Sequence, residues 1–105
     1  MTPQQLFEDQ IAKRLTEDAS LKDIDAVYQF NVTGDNGGEW TVDLRAGAVK
    51  AGNDADADCT IGIADSDLIN LVEGTVNGPQ LFMGGLIQIE GDMSLAMRLQ
   101  SVLGG

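Results

Sequence analysis

Between Ala26 and Arg45 the hydrophobicity alternates with a period of two on both sides of a short polar turn. In "AVYQFNV", Tyr28, Phe30 and Val32 fall on one face and Val27, Gln29 and Asn31 on the other. In "EWTVDLR", Trp40, Val42 and Leu44 point one way, while Glu39, Thr41, Asp43 and Arg45 point to water. Successive side chains leave a strand on opposite faces, so such alternation marks a half-buried strand. The "TGDNGGE" between them is turn chemistry, with Asn36-Gly37 offering residues that tolerate positive φ. The two runs read as an antiparallel hairpin, whose apolar face must be covered by a second layer.

The flanking segments supply that layer. Thr2 is placed to cap a first helix, with Pro3 at its first position and Gln5 three residues after the cap. Phe7, Ile11 and Leu15 follow at a spacing of four, with Leu6 beside them, as one apolar stripe. The helix should fade near Asp18 to Ser20. "AGAVKAG" reads as a short third strand, and "DCTIGI" as a fourth with Cys59, Ile61 and Ile63 inward. Asp65 reads as the N-cap of a helix carrying Leu68, Ile69, Leu71 and Val72, which Gly74 ends. Asn77 caps a short helix through "QLFM", with Pro79 in its first turn, and Gly84-Gly85 break it. "LIQIE" is a fifth strand with Ile87 and Ile89 inward, and Asp92 caps a final helix. The order predicts one α+β domain over residues 1–105, a five-stranded β-sheet with helices covering one face.

Charge and composition remove several functions. Seventeen acids face six bases, for a net charge of −11. Lys13, Arg14, Lys22, Arg45, Lys50 and Arg98 are scattered, whereas nucleic acid and anionic membranes call for clustered cations. No nucleic-acid partner is expected. No apolar stretch reaches spanning length and "MTPQQLFEDQ" lacks a signal-peptide pattern, so no stable membrane insertion is expected. A single cysteine, Cys59, cannot form an internal disulfide and suits a reducing, cytoplasmic compartment. The chain has no histidine, so Ser-His and Cys-His nucleophilic pairs are absent and no catalytic residue is expected. Asp54, Asp56, Asp58 and Asp65 have calcium-loop spacing. Cys59 nevertheless stands where that loop needs glycine, and no glutamate closes it, so no metal is expected either.

The last helix carries more apolar surface than one contact needs. On a wheel of about 100° per residue, Ser94, Arg98 and Ser101 form a narrow polar sector. Met93, Leu95, Ala96, Met97, Leu99, Val102 and Leu103 occupy the remaining arc, interrupted only by Gln100. The Leu95-Leu99-Val102 side can pack on the sheet. The Met93-Met97 side must meet more core, a second subunit or a ligand, and methionine suits a ligand because its thioether repacks around varied shapes.

The stretch from Ala57 to Gln100 resembles the sterol carrier protein family of lipid-binding domains. The resemblance rests on Asp58-Cys59-Thr60-Ile61, Asp65-Ser66-Asp67, Asn77-Gly78-Pro79-Gln80, Gly85 to Ile89 and Met93 to Gln100, together with "EWTVDLRAGAV". It implies an apolar tunnel between sheet and helices that holds a fatty acyl chain, sterol or similar lipid, in a domain that transports lipid without catalysis or cofactor. On that resemblance Met93, Met97 and Leu103 face the tunnel, and Leu68, Leu71, Val72, Leu81, Phe82 and Met83 supply the opposite wall and mouth. An acidic shell would repel fatty carboxylates unless Lys13, Arg14 or Lys22 lies at the mouth. A homodimer through Leu86 or the final helix is a further expectation. The alternative reading is an accessory protein–protein interaction module with a filled or vestigial tunnel.

Overall fold

The computed structural model describes residues 2–53 and 56–98. The N-terminal helical segment consists of α1 (Pro3–Gln5), a π-helical turn (Leu6–Ile11) and α2 (Ala12–Glu17). A 3-10 turn (Ala19–Ile24) leads to β1 (Val27–Thr33), β2 (Gly38–Asp43), β3 (Ala48–Ala51) and β4 (Cys59–Ala64). Then come α3 (Asp65–Glu73), α4 (Gly78–Met83), β5 (Ile87–Gly91) and α5 (Met93–Met97). The α+β class and the element order are those read from the sequence. The strands form one sheet in the order β3-β2-β1-β4-β5. The β1–β4 pair is parallel, and the other three pairs are antiparallel.

Strand register builds one apolar face. Phe30 stands opposite Trp40 on one side and Ile61 on the other, and Ile61 in turn stands opposite Ile89. The N-terminal helical segment covers the β1–β3 half. Phe7 stacks on Trp40 with ring centroids 5.0 Å apart and 15° between planes, and it meets Phe30 at 4.9 Å. Leu6, Phe7, Ile11 and Leu15 are all buried. The sequence predicts an ordinary α-helix here. The π-helical turn adds a residue, which lets Leu6 and Ile11, five apart, share a face with Phe7. Over one turn, apolar periodicity does not separate a spacing of four from one of five. Three of the five aromatic residues, Phe7, Phe30 and Trp40, meet in this half of the sheet–helix layer. Open space lies at the other end of the sheet.

Two polar side chains expected on the outer sheet surface are buried. Thr41 and Gln29 expose 0% and 1% of their area. The cause is the route from β3 to β4. Because β3 is one edge and β4 pairs with the far side of β1, the chain must cross a face of β2 and β1. The crossing begins at Gly52. Thr41 Oγ1 lies 2.7 Å from Gln29 Oε1 and 3.0 Å from the Gly52 carbonyl oxygen, its single hydrogen serving one at a time. Gln29 Nε2 donates to Asn31 Oδ1 at 3.1 Å. Burial is tolerated because these atoms find partners.

The hairpin turn also differs from expectation. Neither Asn36 nor Gly37 is left-handed; Gly34 is, with φ of +106°. Any side chain at Gly34 would collide with the Asp65 carboxylate. Asp65 is not the N-cap of α3, a place taken by Ala64. Instead its Oδ2 accepts from the Asn36 amide at 3.1 Å, and its Oδ1 accepts from the Ser66 amide at 2.8 Å. The start of α3 is thereby tied to the β1–β2 turn.

Candidate functional site

Short local signals place the elements around the open end of the sheet. Gly74 closes α3 in the left-handed region, and the Thr75 amide donates to the Asn70 carbonyl at 3.0 Å. Three residues on, Asn77 opens α4 with a capping box. Asn77 Oδ1 accepts from the Gln80 amide at 2.9 Å, and Gln80 Oε1 accepts from the Asn77 amide at 3.1 Å. Gly85, with φ of +71°, turns the chain into β5. Asp92 Oδ1 then accepts from the Ser94 amide at 2.9 Å and from Ser94 Oγ at 2.6 Å, capping α5.

A second attachment holds α5 on the sheet. The buried Tyr28 hydroxyl donates to the Leu95 carbonyl at 2.5 Å. Burial pushes this phenol well above its ordinary range, so it remains a donor at all physiological pH. Tyr28→Phe is expected to cost about 1 kcal/mol, the typical net value of such a bond. Amide hydrogen exchange should localise the loss, with α5 opening more readily than β1. Unchanged exchange in α5 would show that the bond does not hold this helix.

Between α3, α4, β5 and α5 lies a cavity of about 430 Å³ that is open to solvent on one side. Small-molecule sites commonly measure roughly 300–1,000 Å³. Leu71 of α3 and Gly78, Pro79 and Phe82 of α4 form one wall. Ile87 and Ile89 form the sheet side, and Met93, Ala96 and Met97 form the α5 side. None of these side chains carries a charge or a hydrogen-bond donor. Phe82 and Met93 are half exposed and Met97 is 87% exposed, so they form the mouth. Met83 and Leu86 are exposed as well, so among the described residues the five exposed large hydrophobic side chains lie on α4, its outgoing loop and α5.

Of the residues expected at the site, Leu71, Phe82, Met93 and Met97 are brought together. Leu68 and Leu81 are buried in the core and do not line the cavity, and Val72 is half-buried against the same core. Met83 stands in solvent outside the lining. Leu103 lies outside the described residues. Five lining residues escaped the sequence reading of the site: Gly78, Pro79, Ile87, Ile89 and Ala96. For three of them a signal was available. Ile87 and Ile89 alternate inward, and Ala96 lies between Met93 and Met97 on the wheel.

The ionisable groups nearby are structural. Cys59 is fully buried, and burial, helped by the charges of Asp92 and Asp58, pushes its thiol up to about 11. It is a protonated core residue at neutral pH, without the thiolate a nucleophile needs. The Ser94 hydrogen bonds hold the Asp92 carboxyl below its ordinary value of 3.8. A depressed folded value means that the cap contributes fully above 3.8 and is lost as pH falls through the lower folded value. On acidification the Ser94 amide resonance is therefore expected to titrate below pH 3.8, with α5 loosening at the same time. A Ser94 amide titrating at or above that value would contradict the cap.

A mixed five-stranded sheet with helices on one face and a purely apolar open pocket at its edge defines a small domain built to hold an apolar ligand. The chain belongs to the SCP-2 sterol transfer family, whose model matches residues 5–104. It is 40% identical over 100 residues to sterol carrier protein 2 of Oryctolagus cuniculus, a match covering 89% of this chain and 18% of that protein. It is 32% identical over 96 residues to hydroxysteroid dehydrogenase-like protein 2 of Bos taurus, covering 89% of this chain and 23% of that one. The chain thus spans less than a quarter of the length of either relative. Its fold superposes on the solution structure of palmitated SCP2L2 from Aedes aegypti with a TM-score of 0.80 and 25% identity, covering 100% of this chain and 96% of that one. No helix among the described residues is long and apolar enough to cross a membrane.

Proposed function

We propose that this domain is a non-catalytic lipid carrier that holds a long alkyl chain in the pocket between β5 and α3–α5. The observation that carries the reading is an open cavity of about 430 Å³ whose lining side chains are all apolar. Each methylene moved from water into such a site gains about 0.8 kcal/mol. Ten methylenes give about 8 kcal/mol before the cost of association, enough for binding without any polar anchor. Family membership and the palmitated state of the Aedes aegypti relative support the same reading. Among the described residues no acid, base or nucleophile lines the pocket, which supports a carrier rather than an enzyme. In longer proteins such as the two relatives, the equivalent stretch would be one part of a larger chain. A reducing, cytoplasmic setting belongs to the same reading, supported by the buried free thiol of Cys59.

The test is direct. Purified protein is extracted with organic solvent and the extract analysed for lipid, and native mass spectrometry records any bound mass. A fluorescent long-chain alcohol is then titrated into delipidated protein. A co-purifying lipid or saturable one-to-one uptake of the probe is expected. Absence of both would end the carrier reading.

A further inference from the structure

Methionine is among the residue types most often fully buried, because its side chain is apolar. Here it is placed the other way. Three of the chain's four methionines, Met83, Met93 and Met97, are among the described residues, and all three are exposed. Met93 and Met97 lie one helical turn apart at the two ends of α5, and both line the cavity at its mouth. Met83 ends α4 beside the lining Phe82, yet stands outside the cavity. Met83 and Met97 are equally exposed, at 87%, and differ in that only Met97 lines the cavity.

A thioether open to solvent has one reaction that no aliphatic side chain shares. A peroxide transfers one oxygen to the sulfur: the O–O bond breaks, an S–O bond forms, the sulfur loses two electrons, and the second peroxide oxygen leaves as water or an alcohol. The sulfoxide product is polar where the thioether was apolar. Among the described residues the remaining sulfur does not compete. Cys59 is fully buried and protonated, without the thiolate that a peroxide attacks. In the empty pocket a sulfoxide oxygen is hydrated. An entering alkyl chain must strip that water, and the lining side chains offer no hydrogen-bond donor in exchange.

We propose that Met93 and Met97 form a reversible oxidation site that sets how tightly the pocket holds an alkyl chain. The proposal rests on the carrier reading and adds a regulation of the same site. Sulfoxides formed by a peroxide at the mouth weaken retention of the cargo, and methionine sulfoxide reductases, one for each sulfoxide epimer, restore it. Leucine in these two places would give an apolar wall without that sensitivity. Met83 is as open to the oxidant but lies outside the cavity, so its oxidation leaves binding unchanged. The fold is not the target. The buried core residues include no methionine among the described residues, and α5 is held to the sheet through the Tyr28 hydroxyl and the Leu95 carbonyl.

Delipidated protein treated with graded hydrogen peroxide tests this. Peptide mass spectrometry counts the oxygen on each methionine, and the fluorescent long-chain alcohol is titrated into each sample. The dissociation constant is expected to rise about fivefold or more as Met93 and Met97 are converted, with the thermal midpoint little changed. Treatment with both reductases should return it. Met83→Leu should lose affinity on oxidation as the unaltered protein does. The double variant Met93→Leu, Met97→Leu, whatever its starting affinity, should not respond to peroxide. If that variant fails to fold, protection in the unaltered protein still decides: hexadecanol loaded beforehand should slow oxygen uptake at Met93 and Met97 and not at Met83. Loaded and empty protein oxidising alike, full conversion of Met93 and Met97 with unchanged affinity, or a fall that follows Met83 or unfolding instead, overturns the proposal while leaving the carrier intact. If untreated protein does not hold the fluorescent alcohol, the carrier reading falls and this proposal falls with it.

Discussion

Gly78→Leu is expected to lower the affinity for a fluorescent long-chain alcohol by about fifteenfold or more while leaving the fold intact. Gly78 lines the cavity, and a Cβ built there meets no atom within 4 Å. Its backbone is not left-handed, so a side chain brings no conformational strain. It is also the first residue of α4, where leucine is a better helix former than glycine. The added side chain has four carbons and would occupy space needed by the tail. If it displaces only two methylenes, the loss is about 1.6 kcal/mol, or about fifteenfold in dissociation constant. The thermal midpoint should hold or rise slightly. Unchanged affinity in a folded variant would mean that the alkyl chain lies elsewhere, and the pocket would lose its assigned role.

The largest effect on stability is expected from Phe7→Ala, at about 3–5 kcal/mol, the usual range for truncating a buried phenylalanine. Whole domains of this size have only about 5–15 kcal/mol in hand. Phe7 is fully buried between Phe30 and Trp40, and removing it leaves two aromatic faces without their partner. The urea midpoint should fall by about a fifth or more at constant slope, and Trp40 emission should shift to the red. Binding per folded molecule should change little, because Phe7 covers β1–β3 while the pocket lies on β5. A loss below about 1 kcal/mol would show that the N-terminal segment does not carry the core. A collapse of binding in folded protein would show that the two halves of the layer are coupled.

Much of this arrangement was legible in the residues. Thr2 with Gln5, Asn77 with Gln80 and Asp92 with Ser94 are caps made by groups at most three positions apart, and each forms as such a pattern requires. The inward alternation of Tyr28, Phe30 and Val32, and of Cys59, Ile61 and Ile63, needs only the pleat of a strand. On the wheel the Met93-Met97 side of the last helix is apolar surface beyond what one contact needs, and both methionines line the cavity.

Other features depend on segments far apart in the chain. Thr41 alternates onto the polar face and is buried all the same, because the β3–β4 crossing passes over it. Asp65 has the residue type and position of a cap, yet its carboxylate is drawn to a turn 29 residues earlier. Leu68 and Leu81 are as apolar as Leu71, but packing assigns them to the core and only Leu71 to the pocket.

By itself, then, the sequence settled which segments are helices and strands and which side of each is apolar, since caps, turns and periodicity act between neighbouring residues. Only the tertiary structure decided where the apolar surfaces meet and where they fail to. A cavity is space that side chains from α3, α4, β5 and α5 leave unfilled together, and no one of those segments contains that information.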